Sequence, residues 1–264
     1  MTVRDLTPEE LQRMDTDGFV VLPEVFAAQQ LRPLEAACER LEVMAEELHA
    51  NGARGATMHR GSQFVLGGVE SGLRAGQVRI DRVVWAGAAV PELLDFGADP
   101  QLTHWAAQIL ASRQLQQIIN QVHFKLPGDG VAFGWHQDSV HRRFGTDLWT
   151  DVNGRGSFVE IATFLDDNTP ENGPLQFVRG SQVHGHLGID AQGQVPGQYL
   201  DADQMVPALG QAGSVVLFGP FVIHGSAPNR STRKRRMLLN GFAVPGANRR
   251  VYPGEGAGRI VQAA

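Results

Sequence analysis

Phe133-Gly134-Trp135-His136-Gln137-Asp138-Ser139 sets an imidazole and a carboxylate two residues apart. An extended chain alternates its side chains with a period of two. Read as a strand, this stretch points His136 and Asp138 to one face and Gln137 to the other. Two ligands for a metal then converge without help from a loop. A further ligand has to come from elsewhere, and His224, in Phe221-Val222-Ile223-His224-Gly225-Ser226, is the best-placed candidate. Two imidazoles and one carboxylate on one side of a metal leave its other side open, which is the facial arrangement of non-haem Fe(II) oxygenases.

The segments on either side have the same short period. Residues 115–126 form a long alternating run, Pro127-Gly128-Asp129-Gly130 is a turn, and 131–138 is the next strand. Gln121, His123 and Lys125 share one face of the long run, and Val122, Phe124 and Leu126 share the other. Polar groups on a central strand need partners in the interior, so this face predicts a wet cavity and the apolar face predicts a cover of helices. Residues 139–156 read as a polar loop in which Trp149, like Trp135 before it, is a packing residue. Strands follow at 157–165, 174–178, 214–218, 221–224 and 235–244, with a turn at 166–173 and a long loop up to about Gly213. Short strands with Gly/Pro turns make a mainly β protein, a double-sheet jelly roll.

The N-terminal part reads differently. Thr7-Pro8-Glu9-Glu10 is a capping box with Pro in the first helical position, and Gly18 ends that helix. Phe19-Val20-Val21-Leu22 is a strand. Residues 28–49 form the longest helix, striped by Leu31, Leu34, Cys38, Leu41, Met44 or Ala45, and Leu48, with Pro33 tolerable near its start. Residues 51–76 are Gly-rich without periodicity, a plain loop or a lid near a site. A strand is expected at 78–85 and an Asp99-capped helix up to about 111. The whole chain, 1–264, reads as a single domain: 1–114 largely helical and packed outside one sheet, 115–245 the jelly-roll core.

Composition narrows the class. The 264 residues carry a formal net charge of -5 and a pI near 6.0, with no basic stripe of the kind a nucleic-acid binder uses. Cys38 has no intrachain partner, which fits a reducing compartment. No apolar run reaches membrane-spanning length and the N-terminus lacks a signal-peptide core. A cytoplasmic protein with a small-molecule substrate, and with neither nucleic acid nor membrane as partner, is expected.

Arg233-Lys234-Arg235-Arg236 is the one basic run. On a strand, Arg235 shares a face with Met237 and Leu239. An arginine among apolar neighbours is costly unless an anion meets it, and a guanidinium takes a carboxylate bidentately. Arg235 is therefore a candidate carboxylate clamp, while Arg233 and Lys234 read as a solvated turn.

In combination and in order, His136-Gln137-Asp138, Asn172-Gly173-Pro174-Leu175, Gly213-Ser214-Val215-Val216-Leu217-Phe218, His224-Gly225-Ser226-Ala227-Pro228-Asn229 and Arg235 resemble the phytanoyl-CoA dioxygenase family, which includes ectoine hydroxylases. Gly18-Phe19-Val20-Val21-Leu22-Pro23 matches the family's usual opening. The resemblance implies a double-stranded β-helix (a cupin-like jelly roll) and a hydroxylase dependent on Fe(II), 2-oxoglutarate and O2 that releases succinate and CO2. It implies His136, Asp138 and His224 as iron ligands. It also implies Arg235 at the far carboxylate of 2-oxoglutarate with the Ser226 hydroxyl beside it, and Gln121 in contact with cosubstrate or substrate. Two departures stand out. The family's Pro-Gly-Ser-His turn is Arg179-Gly180-Ser181-Gln182 here, and Ala162 stands where many relatives carry Trp, which would reshape the cosubstrate end of the cavity.

Three other functions compete with this one. A non-catalytic ligand-binding jelly roll is disfavoured by the complete triad with Arg235. A halogenase would need a small residue in place of Asp138. An acyl-CoA hydroxylase would want a wide apolar channel, for which 51–76 and 139–156 offer few large apolar residues. The polar lining instead predicts a small, polar, anionic metabolite. Arg142 and Arg143, or Arg79 and Arg82 at the mouth, are placed to meet it. His141, His184 and His186 lie in polar loops and read as solvated.

Overall fold

The computed structural model describes residues 3–67, 73, 77–190, 194–254, 256 and 258–263. Helix α1 (Pro8–Thr16) starts at the expected capping box, with Thr7 and Glu10 satisfying each other's backbone N–H groups. Strand β1 (Phe19–Leu22) follows, then α2 (Ala28–Ala50), which keeps Pro33 inside it and buries Leu31, Leu34, Ala37, Cys38, Leu41 and Ala45. Next come β2 (Gly55–His59), β3 (Ser62–Leu66), β4 (Ile80–Val84), the short helices α3 (Ala86–Ala89) and α4 (Pro91–Phe96), and α5 (Pro100–Leu110), capped by Asp99.

The remaining elements are β5 (Gln114–Lys125), β6 (Phe133–His136), α6 (Asp138–His141), β7 (Phe158–Phe164), β8 (Gln176–Val178), β9 (Met205–Pro207), β10 (Val215–Phe218), β11 (His224–Ser226), β12 (Arg235–Ala243) and β13 (Arg259–Gln262). Among the described residues the strands form two sheets. The major sheet runs β1-β10-β7-β12-β5-β4-β3-β2, with β13 also on β5, and the minor sheet runs β6-β11-β8-β9. The fold is the expected mainly β, cupin-like jelly roll with helices outside one sheet.

Alternation along the central strands sorts residues into two cores. On β5, β7 and β12 the outward residues Val122, Phe124, Val159, Ile161 and Leu238 join Leu31, Leu34 and Leu41 of α2 and Leu102 and Trp105 of α5. The inward residues Phe158, Ala162, Phe164, Met237 and Leu239 pack toward the minor sheet with Phe177, Phe218 and Val222. A buried amide cluster also ties helices to the outer face. Asn240 Oδ1 accepts from Gln117 and Asn120 at 2.9 Å each, and Asn120 in turn donates to the Leu93 carbonyl.

Four expectations are corrected. Residues 51–76 are not simply a loop: β2 and β3 make a hairpin with His59 opposite Ser62. Its two-residue turn sets Arg60 and Gly61 at φ 49° and 78°, the conformation that suits the twist of a tight hairpin. The expected lid residues 68–72 and 74–76 lie outside the described residues. The N-terminal part is also less helical than expected, since β2 and β3 join the expected strand β4 in extending the major sheet. Further, the strand expected at 131–138 pairs with β11 only as far as His136, and Asp138 begins α6. Gln137 between them is still extended (φ -114°, ψ 142°), so the alternation outlives the ladder. Finally, the strand expected at 221–224 is displaced to His224–Ser226, and β9 and β13 are additional.

Candidate functional site

His136 ends β6 and His224 begins β11, directly opposite in the register of the minor sheet. Their ring centroids are 4.2 Å apart. The ligand atoms of His136, Asp138 and His224 all lie within 4.8 Å of one another. Backbone carbonyls fix both imidazoles: the Nδ1–H of His136 donates to Gly134 O at 2.7 Å, and that of His224 to Val222 O at 3.1 Å. A carbonyl can only accept, so the proton sits on Nδ1 and Nε2 keeps its lone pair for a metal.

The electrostatics favour the same states. Burial, reinforced by the nearby His136, lowers the His224 pKa to about 3. Burial pushes Asp138 up, but the charges of His224, Arg142 and His136 outweigh it and hold the carboxyl well below its usual range. His224 and Asp138 are thus deprotonated at neutral pH, as metal ligation requires. Asp138 Oδ2 is buried with no hydrogen-bond partner among the described residues. An orphaned carboxylate oxygen facing two imidazole lone pairs fits a divalent iron.

Gln137 carries the frame. It is fully buried, and its Nε2 donates to Gly185 O and Phe221 O while its Oε1 accepts from Leu187 N at 2.7 Å. Arg142, four residues after Asp138, is buried with Nη2 4.0 Å from Asp138 Oδ1. Its guanidinium lies over the rings of Phe158 and Tyr252, at 4.9 and 5.2 Å. It is therefore a partner of Asp138 rather than of a substrate. Arg143 is exposed, so the loop reading holds for it.

A cavity of about 240 Å³ opens beside the triad, lined among others by Gln121, His123, Leu239, His136, His224 and Arg82. The polar face expected on β5 is its wall. His123 stacks on Phe133 at 4.6 Å, and burial with the charge of Arg82 keeps it neutral, its pKa well below the usual value. Arg235 faces inward, 1% exposed, opposite Lys125. Its Nη2 donates to Gly173 O at 2.6 Å, whereas its Nε and Nη1 are buried without partners among the described residues. Burial lowers its pKa only to about 10, so it remains a cation. Two unmet donors on a buried guanidinium fit a carboxylate, and 2-oxoglutarate brings one. Arg236 turns to the opposite face and pairs with Asp166 at 2.9 Å.

Ser226 was expected beside the clamp. Its Oγ accepts from Lys125 Nζ at 2.8 Å, and Lys125 also donates to the Ala227 carbonyl. Lys125 had been noted only as part of the polar face. Burial, then the charge of Arg235, depresses its pKa to about 6. Glu160 was overlooked: it lines the cavity from β7, and burial with the adjacent Asp138 raises its pKa well above the usual range. The signal was present, an acid between Phe158 and Ala162 on an otherwise apolar strand face. His141 is exposed, as expected, and also lines the cavity, its ring 5.2 Å from that of His136. His184 and His186 are exposed as expected. Trp149 packs on Phe144 at 5.0 Å, and Trp135 packs beside Ile223. Arg79 pairs with Asp81 at 2.8 Å and does not line the cavity, whereas Arg82 does. Ala162 is buried in the inner core and is not among the residues that line the cavity.

The profile described as Phytanoyl-CoA dioxygenase (PhyH) matches residues 14–237, a span that holds the triad and Arg235. The chain is 34% identical over 146 residues to the L-proline trans-4-hydroxylase of Streptomyces griseoviridis, a match covering 45% of this chain and 51%, about half, of that protein. It is 26% identical to the methylphosphonate hydroxylase of Gimesia maris, over 88% of this chain and 79% of that one. Its fold is similar to the crystal structure of EctD from S. alaskensis with 2-oxoglutarate and 5-hydroxyectoine, with a TM-score of 0.67, 20% identity, and coverage of 90% and 76%.

Proposed function

The chain belongs to the phytanoyl-CoA dioxygenase family, and from that membership we propose that it is a 2-oxoglutarate-dependent dioxygenase that hydroxylates a small, polar, anionic metabolite. The observation that carries the proposal is the convergence of His136, Asp138 and His224 beside a cavity, with Arg235 on the same face of β12 as the cavity residue Leu239 and holding two donors unmet among the described residues. In this reading those three residues hold Fe(II), and Arg235, with Lys125 and Ser226, holds the far carboxylate of 2-oxoglutarate. Gln121 faces the bound molecules from β5. Bound iron, 2-oxoglutarate and O2 supply the oxidation, which yields succinate and CO2 and places one oxygen atom in a substrate C–H bond.

The protein's own residues do the rest. The Gly134 and Val222 carbonyls keep Nε2 of both histidines aimed inward. Arg142 keeps Asp138 ionised and in place. Phe133, Leu175, Phe218 and Leu239 wall the cavity with apolar surface and so limit water at the reacting carbon. The cavity's small volume supports a small guest. L-Proline and methylphosphonate, the substrates in the names of two relatives, are both small and carry an acid group.

Anaerobic titration with Fe(II) tests the assignment. Asp138→Ala is expected to lose tight, stoichiometric iron binding while keeping the wild-type circular-dichroism spectrum. Wild-type affinity in that variant would remove Asp138 from the ligand set.

A further inference from the structure

We propose that Arg82 holds the anionic group of the substrate, so that the cavity selects a small carboxylate or phosphonate that carries no ammonium group. This inference rests on the oxygenase reading above and adds the residue that does the selecting.

Arg82 lies on β4 in register with His123 of β5, and both line the cavity that contains His136 and His224. It is half-buried, yet among the described residues its guanidinium has neither a hydrogen bond nor an ion pair. The adjacent carboxylate, Asp81, is engaged by Arg79 at 2.8 Å. The other cavity arginines are already committed. Arg142 is held by Asp138 and two aromatic rings. Arg250 donates to the His141 carbonyl and lies over Tyr252 at 4.9 Å. Burial lowers the Arg82 pKa, the mark of a charge that has given up water without gaining a partner. A planar fork of donors in that state matches a carboxylate or phosphonate bidentately.

The rest of the lining decides against a zwitterion. Asp138 and Glu160 are the carboxyl groups that line the cavity among the described residues. Asp138 belongs to the triad, and Glu160, 1% exposed, lies against Asp138 and Arg142. Neither is available to an ammonium group, whereas Arg82 faces the guest with its donors unassigned. The neutral His123, whose Nε2 is buried without a partner, offers an uncharged polar contact beside it. Arg82 and Arg235 then divide the work. Arg235 lies opposite Lys125 where β12 pairs with β5, and Arg82 lies on the β4 wall of the cavity, so a cosubstrate anion and a substrate anion meet different cations.

The test is calorimetric binding to the 264-residue chain loaded anaerobically with Fe(II) and 2-oxoglutarate. The probes are methylphosphonate, acetate and butyrate, the amides acetamide and butyramide, and L-proline. At least one acid is expected to bind the wild type about tenfold or more tightly than the amides. Arg82→Gln is expected to weaken that acid about tenfold or more, with Arg82→Lys recovering part of the loss, while 2-oxoglutarate affinity stays within about twofold. Three results would overturn the proposal: no acid binding the wild type better than the amides, an unchanged acid affinity in Arg82→Gln, or L-proline binding more tightly than the acids and surviving that substitution. Failure of the wild type to bind Fe(II) and 2-oxoglutarate would instead remove the oxygenase reading and this inference with it.

Discussion

At the scale of single residues, neighbours in the chain have been given opposite duties. Arg235 and Arg236 are adjacent on β12, and alternation sends one to the cavity face and the other to Asp166 under α2. Arg235→Leu is expected to cost about 3–5 kcal/mol of 2-oxoglutarate binding, the penalty for leaving one member of a buried charge pair alone. Arg236→Leu is expected to leave that affinity intact and to lower folding stability by about 1.5–3 kcal/mol, the worth of hydrogen bonds to a charged group. Cosubstrate titration and urea unfolding of both variants separate the two outcomes, and reversed results would shift the register by one. Lys125 adds a pH dependence. Its pKa is depressed to about 6 in the folded protein, against 10.5 for an ordinary lysine. Between those values the unfolded chain holds a proton that the folded one lacks, so this group makes stability rise with pH across that window. An arriving carboxylate favours the charged form, so binding takes up a proton above pH 6 and 2-oxoglutarate affinity falls as pH rises. Calorimetry at neutral pH in two buffers of different ionisation enthalpy should report that uptake in the wild type and not in Lys125→Met. Equal heats in the wild type would rule it out.

At the scale of elements, the turn between β7 and β8 shows what a motif is for. Gly173, in Asn172-Gly173-Pro174-Leu175, has φ +70°, and a Cβ there would come within 2.3 Å of Ala227 O and 3.1 Å of Lys125 Nζ. Its own carbonyl accepts from Arg235. Gly173→Ala is therefore expected to weaken 2-oxoglutarate binding about tenfold and to destabilise the fold by about 1 kcal/mol. Gly130→Ala is the control, since it has the same φ of +70° but nothing within 4 Å of its Cβ. Equal cosubstrate affinity in the two variants would deny Gly173 its part. The sequence carried the triad because alternation survives through Gln137, and it carried the polar wall because β5 is long enough to reveal its period. It hid the β2–β3 hairpin, whose turn uses Arg60-Gly61 rather than the familiar Asn-Gly or Asp-Gly. It hid Arg142 and Glu160 too, because burial of a charged side chain depends on partners brought from other strands. Thus Arg142, read as a loop residue, is enclosed by Phe158 and Tyr252 from distant parts of the chain.

At the scale of the whole molecule, the two bound species of the proposed reaction lie differently across the sandwich. His136 and His224 belong to β6 and β11 of the minor sheet, with Asp138 just beyond β6. Arg235 and Lys125 belong to β12 and β5 of the major sheet, and Lys125 already reaches across to Ser226 on β11. Iron alone would therefore brace one sheet, while 2-oxoglutarate on that iron would connect the two. A ligand that binds only the folded state at about 100 times its Kd adds about 2.7 kcal/mol of stability by mass action. Under anaerobic conditions, Fe(II) is expected to slow amide hydrogen exchange in β6 and β11. Adding 2-oxoglutarate should extend that protection to β5 and β12 and raise Tm further. In Arg235→Leu at the same cosubstrate concentration, the second increment should vanish while the first remains. Protection that appears in both sheets with Fe(II) alone, or a second increment that survives Arg235→Leu, would mean that the cosubstrate does not bridge the sheets through this arginine.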